Sequence, residues 1–215
     1  MDAYPASVDE GRNVRLTAKG QATRERIVAV AADLMFRRGI AGTSTDDVQA
    51  AAGVSASQLY HYFADKRELV GAVIAWQTET VVGGQEPLFA QLDSVEALRQ
   101  WRDLVVALQV ERACMGGCPL SSLAGELAEV DLTAREDLRV AYARWAAGLA
   151  GGLHRMRDRG DLPASVDPDR LGVALLAALQ GGLLLAQVER SPASLEAALD
   201  TVLDHIADLA QRVAT

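Results

Sequence analysis

Between Thr43 and Lys66 the chain spells out two short helices and a tight turn, and few other structures are open to it. Ser44 stands where an N-cap is needed. Asp46 and Asp47 follow in the first turn, where negative charge meets the positive end of the helix dipole. Gly53 stops that helix, Ser55 caps a second with Gln58 three residues on in a capping-box arrangement, and the second helix ends near Phe63. A glycine at the junction permits the backbone turn that sets the two helices at a steep angle, the geometry of a helix-turn-helix. Val48 and Ala52 can pack against Leu59 and Phe63, which leaves Ala56, Ser57, Gln58 and His61 pointing away from the core.

Such outward groups suit the DNA major groove, since Gln can pair with adenine in bidentate fashion and small side chains can touch the thymine methyl. Thr43, Tyr62 and Lys66 flank the face and suit phosphate contacts. Lys66 also opens a helix capped by Asp65, where free backbone N–H groups attract anions. A net charge of −8 looks hostile to nucleic acid, but its distribution is uneven. Nine Lys/Arg against five Asp/Glu between Gly11 and Arg67 give that stretch +4 and leave −12 for the rest. Salt screens charge over about 8–10 Å, so a basic head on an acidic body is compatible with local phosphate contacts.

Beyond this stretch and the first residues, the sequence reads as helical. Half of the whole chain is hydrophobic and only 5% aromatic, with Ala and Leu dominant, and no strand alternation is visible. Residues 1–17 show no periodicity and are expected to form a mobile arm carrying Arg12 and Arg15, with Lys19 beyond, for backbone or minor-groove contacts. Ile27, Val30, Ala31, Leu34 and Met35 mark a helix over 23–38, stopped by Gly39. Further helices are expected over 66–82, 94–112, 120–130, 133–159, 168–190 and from 191 to about 213. Thr133 with Glu136 reads as another capping box, and Asp167-Pro168 as an N-cap followed by proline at the first helical position. The whole is an all-α chain of about nine helices: the arm at 1–17, a helix-turn-helix domain at 18–65 and a helical body at 66–215.

The stretch closely resembles the TetR family of bacterial transcriptional regulators. The residues that carry the likeness are Thr43-Ser44 before Asp46-Asp47-Val48, then Ala51-Ala52-Gly53-Val54-Ser55, then Leu59-Tyr60-x-Tyr62-Phe63-x-Asp65-Lys66-x-x-Leu69. Arg24-x-x-Ile27, Ala31-x-x-Leu34 and Gly39 fit as well, so the specific likeness covers about 20–75. The resemblance implies a DNA-binding head in the first three helices, an inducer pocket among the middle helices and a homodimer through the last two. By position it assigns base reading to Ala56, Ser57, Gln58 and His61. Thr43, Ser44, Tyr60, Tyr62 and Lys66 join the DNA-binding set, with phosphate or sugar contacts falling to Thr43, Tyr60, Tyr62 and Lys66.

The last helix carries Leu195, Leu199, Val202, Ile206, Leu209 and Val213 at alternating spacings of four and three, a stripe suited to shallow-angle helix packing. The helix before it is apolar nearly all round, with Leu175 and the small Ala178 and Gly182, and needs a second covering surface. A second copy of the chain supplies one, giving a four-helix interface of two-fold symmetry that presents two heads to a palindromic DNA operator. The stretch from Leu171 to Val188 has no charged residue, but at this marginal length a buried or interface helix is expected rather than a membrane span. Pocket candidates are Trp76, Trp101, Leu104, Leu108, Met115, Trp145, Leu149 and Gln180.

Cys114 and Cys118 frame a Gly-rich turn close to Arg112, which raises thiol-based redox or electrophile sensing as an alternative to simple inducer binding. An enzyme using either cysteine as nucleophile has no base partner in view. His61, His154 and His205 are scattered, and the glycine pairs lack any phosphate-cradle pattern, so neither metal nor cofactor is expected. No secretory signal is seen at the first residues, which points to a cytoplasmic chain with reduced thiols. The expected function is a ligand-responsive transcriptional repressor, released from DNA by a small-molecule inducer. Activation by the same fold is the other possibility.

Overall fold

The computed structural model describes residues 16–213, so Arg12 and Arg15 lie outside the described residues. Among them every regular element is a helix. We label these α1 (Ala18–Arg38), α2 (Thr45–Ala52), α3 (Ala56–Tyr62), α4 (Lys66–Val81), α5 (Glu86–Phe89), α6 (Val95–Glu111), α7 (Pro119–Leu127), α8 (Leu132–Arg159), α9 (Pro168–Glu189) and α10 (Ala193–Gln211). The short α5, which follows a 3₁₀ turn at Gly83–Gln85, has no counterpart in the sequence reading; the other nine match the expected number.

Helix ends follow local chemistry. α1 begins earlier than its apolar periodicity suggests because Thr17 Oγ1 caps the Gly20 amide at 3.2 Å, which puts Lys19 inside the helix rather than on an arm. α8 begins at Leu132 because Asp131 accepts from both the Thr133 and Ala134 amides. Thr133 therefore sits inside the first turn, and the Thr133–Glu136 capping box is not formed; Glu136 instead pairs with Arg139.

The head packs α1 against α2 and α4, with Ile27, Ala31, Val48, Leu59 and Phe63 almost wholly buried at its centre. In the body α9 lies between α8 and α10, and α10 also packs on α6. This arrangement corrects the expectation for α10. Leu195, Leu199 and Ile206 are completely buried within the protomer, as is Leu175 of α9, while Val202 and Leu209 are half-buried. Half of the stripe is thus used up by the chain's own core, while Val213 at its end is exposed. Gly182 is enclosed too, with the Leu195 Cα 2.7 Å from where its Cβ would stand, and Ala178 is half-buried. The exposed apolar side chains lie on the opposite side of α9, where Val173, Ala177, Leu184, Leu185 and Val188 face outward. α9 is the one helix among the described residues long and apolar enough to cross a membrane, yet Leu176, Leu179, Leu183 and Ala186 bury its inner side in the body.

Candidate nucleic-acid interface and ligand cavity

Both helices of the helix-turn-helix, α2 and α3, start with complete capping boxes. Ser44 accepts from the Asp47 amide while Asp47 accepts from the Ser44 amide, and Ser55 and Gln58 do the same for α3. Hydrogen bonds from the Ser44 hydroxyl and amide hold the Asp47 carboxyl below its usual range, with Arg38 adding to the effect. Between the helices Gly53 adopts φ +63°, the left-handed conformation that a side chain would resist. Arg26 Nε donates to the Ala52 carbonyl at 3.1 Å and fastens the end of α2 to α1.

The inner face of α3 is Leu59, with Phe63 just beyond its end; Arg24 lies over the Phe63 ring at 5.1 Å. The outer face presents Ala56, Ser57, Gln58, Tyr60 and His61, all exposed, with Tyr60 about half so at 52%. Tyr62 is half-buried and stands edge-on to His61 at 5.0 Å. The Gln58 side-chain oxygen is engaged by the Ser55 amide, which leaves its NH₂ group free to turn outward.

Two of the expected phosphate contacts are placed elsewhere. Thr43 is completely buried, and its hydroxyl donates to the Gly39 carbonyl at 2.8 Å. Lys66 Nζ donates to the Ile40 carbonyl at 2.6 Å. Both therefore brace the α1–α2 loop in this structure rather than extend to solvent. Ser44 is exposed, with its hydroxyl on Asp47.

The body contains a cavity of about 380 Å³ walled by α4, α6, the start of α7, α8 and α9. Of the pocket residues expected from sequence, Leu108 and Trp145 line it. Met115 lies on a separate open concavity with Val110 and Arg190. Trp101 and Leu149 are buried in the core, Leu104 is exposed, and Trp76 is half-buried. Gln180 receives the Ser121 hydroxyl at 2.6 Å, and Ser121 also meets the Tyr142 hydroxyl at 3.0 Å. Burial pushes the Tyr142 phenol up to about 12, against the opposing pull of Ser121. Sequence periodicity missed Gln77 and Gln109, polar lining residues that break the apolar pattern of their helices, and Arg112, which follows the end of α6. Those breaks are the signal that could have found the two glutamines. Both cysteines are free and buried; Cys118 lines the cavity and Cys114 does not.

The head is held to the body through the α1–α2 loop, and α4, which packs on both, is held in turn to α8. The Glu126 carboxylate at the end of α7 accepts from the Ile40 amide at 2.9 Å. Arg67 grips Asp131 and Thr133 at the start of α8. The Ala134 amide, and then Arg67, keep the Asp131 carboxyl below its usual range. Farther along α4, Glu79 pairs with Arg144 of α8.

A compact helix-turn-helix head on a helical body with its own cavity defines a DNA-binding transcription regulator of the all-helical type, and comparison with known proteins agrees. Residues 94–202 match the Tetracyclin repressor-like C-terminal domain, and residues 27–73 match the bacterial regulatory proteins of the tetR family. The chain belongs to the TetR family of transcriptional regulators, which are DNA-binding factors rather than enzymes. It is 24% identical to the HTH-type transcriptional repressor DhaR of a Mycobacterium species, covering 84% of this chain and 90% of DhaR. It is 25% identical to the HTH-type transcriptional regulator TtgR of Pseudomonas putida, covering 78% and 81% respectively. The crystal structure of a TetR transcriptional regulator from Chloroflexus aurantiacus superposes with a TM-score of 0.73 at 29% identity, over 89% of this chain and 97% of that one.

Proposed function

We propose that the protein is a ligand-responsive repressor in the cytoplasm that binds palindromic operator DNA as a homodimer and leaves it when a small molecule fills the cavity. The observation that carries this reading is a shared pair of helices. α4 and α7 wall the cavity, and the same two helices hold the α1–α2 loop of the head through Lys66 and Glu126. Gln77 of α4 and Pro119 of α7 also line the narrow seam that contains Glu126 and Met35 of α1. A ligand that spreads α4 from α7 thereby tilts the head. Its effect on DNA equals its difference in affinity for the two head positions, typically about 1–3 kcal/mol.

In the dimer, the outward apolar stripe of α9 meets its copy, with Val202 and Leu209 of α10 at the margin. An isologous contact of this kind relates the two heads by a two-fold axis. Their α3 helices then enter successive major grooves about 34–36 Å apart, with Ala56, Ser57, Gln58 and His61 over the base edges and Tyr60, Tyr62 and Ser44 near the backbone. The head and body divide near 65, although α4 packs with both. No role in a membrane is proposed for α9.

The test is a titration of labelled operator DNA followed by small-molecule challenge. The reading requires a two-fold symmetric complex and at least one compound that binds the cavity and lowers DNA affinity about 5-fold or more, roughly 1 kcal/mol. Compounds that fill the cavity and leave DNA affinity unchanged would overturn the release mechanism.

A further inference from the structure

The polar groups of the cavity define the chemistry of its occupant. Trp145 is 3% exposed, and its indole N–H, which can only donate, has no partner among the described residues. Gln77 and Gln109 are also more than nine-tenths buried, and their side-chain amides make no hydrogen bond among the described residues. Arg112, exposed at the end of α6, is the single charged residue on the lining and has no acidic partner among the described residues; no carboxylate among them lines the cavity. Leu179 and Leu183 supply apolar wall beside these groups.

Each of these groups favours one class of ligand. A buried lone donor calls for an acceptor, and the guanidinium of Arg112, solvated in the free protein, favours an anion over a cation and can hold it through two parallel N–H bonds. An ammonium compound would find no counter-charge here and would face Arg112. We propose that the cavity takes a small amphipathic organic anion of the monocarboxylate type. Its charged end is held by Arg112, an acceptor oxygen meets the Trp145 N–H, and the hydrocarbon body lies against Leu179 and Leu183. This assignment rests on the reading of the cavity as the ligand site.

The test uses three probes with one ring system and different charge: 2-naphthoate, 2-naphthamide and 2-naphthylmethylammonium. Calorimetric titration of the full chain is compared with Arg112→Gln and Trp145→Phe, each first shown to melt as a folded protein. The expected order is naphthoate tightest by about threefold or more, as for a solvent-exposed charge pair. Arg112→Gln should reduce naphthoate to the level of the amide, and Trp145→Phe should weaken both. Equal or tighter binding of the amide or the ammonium compound, indifference of naphthoate to Arg112→Gln, or failure of all three to bind would overturn the assignment. DNA affinity is measured in the same samples. Arg112-dependent naphthoate binding with unchanged DNA affinity upholds the ligand class and removes the release mechanism. Release by a neutral effector without naphthoate binding upholds the mechanism and removes the class.

Discussion

Ile40 and Glu126 are 86 residues apart, and a hydrogen bond of 2.9 Å from the Ile40 amide to the Glu126 carboxylate joins the DNA-binding head to the body. The same Ile40 residue is held at its other polar group, its carbonyl receiving Lys66 Nζ. Glu126→Ala removes an acceptor with full charge, for which a contribution of about 1.5 kcal/mol is typical. Hydrogen exchange of the segment around Ile40 should then speed up about tenfold, and Glu126→Gln, which keeps an acceptor oxygen, should restore most of the protection. Exchange unchanged in the Ala variant would show that the bond does not restrain the head.

Lys66 and Gln58 should behave differently on DNA. Gln58→Ala or His61→Ala should change the preferred base at one position of each half-site, by about 1–3 kcal/mol of discrimination. Lys66→Ala should weaken all sequences alike by loosening the loop, and it should leave the salt dependence of binding unchanged. A lost phosphate contact would instead lower the logarithmic salt slope by about 0.9 per subunit. Affinity measured across a salt series separates the two roles.

Legibility from sequence tracks locality. The caps at Ser44 and Ser55, the turn at Gly53 and the inward Val48, Leu59 and Phe63 are readable, because each depends on residues within a turn or two of the chain. The bracing roles of Thr43 and Lys66 are not, because their partners, the Gly39 and Ile40 carbonyls, lie on a loop whose fold the sequence pattern does not specify. The stripe of α10 shows another limit. A heptad-like spacing shows that a helix packs along one face, without showing against what, and Leu195, Leu199 and Ile206 pack into their own protomer. The outward stripe of α9 is hidden because nearly every position of that helix is apolar, so its periodicity has no contrast.

The dimer reading places the exposed Leu184 and Leu185 in the interface. Leu184→Glu with Leu185→Glu should give a folded monomer in sedimentation, with operator binding reduced about tenfold or more by loss of the second head. Leu199→Ala, in the protomer core, should instead lower stability by about 2–5 kcal/mol, the usual cost of such a truncation. A double variant that remains dimeric would move the interface elsewhere.

Packing in the body can be tested at a single close approach. A Cβ on Gly152 would stand 1.6 Å from the Leu92 carbonyl oxygen, so Gly152→Ala must displace backbone and should cost about 3 kcal/mol or more. Gly125, exposed on α7 with no atom within 4 Å, is the control: Gly125→Ala should stabilise by about 0.5–1 kcal/mol. Denaturant melts of both variants decide the matter.

Acid sensitivity follows from the depressed carboxyls. Asp47 and Asp131 are both held below the usual aspartate range by the hydrogen bonds and arginines around them. Their stabilising effect is fully present above the unfolded value of about 3.9 and disappears as pH falls through the lower folded values. Melting temperature should therefore be steady in this respect from about pH 5 upward and fall below about pH 4. Asp47→Asn and Asp131→Asn should show a shallower acid decline than the parent chain, and an identical decline would assign it to other groups.

Symmetric, sequence-specific DNA reading is the property on which the proposed repressor depends. Duplexes bound by the purified chain should be selected from a random pool at moderate salt with excess competitor, and then sequenced. The predicted result is enrichment of a single palindrome whose half-sites change when Gln58 or His61 is replaced. A folded protein that enriches no sequence, or enriches a single asymmetric half-site, would contradict it.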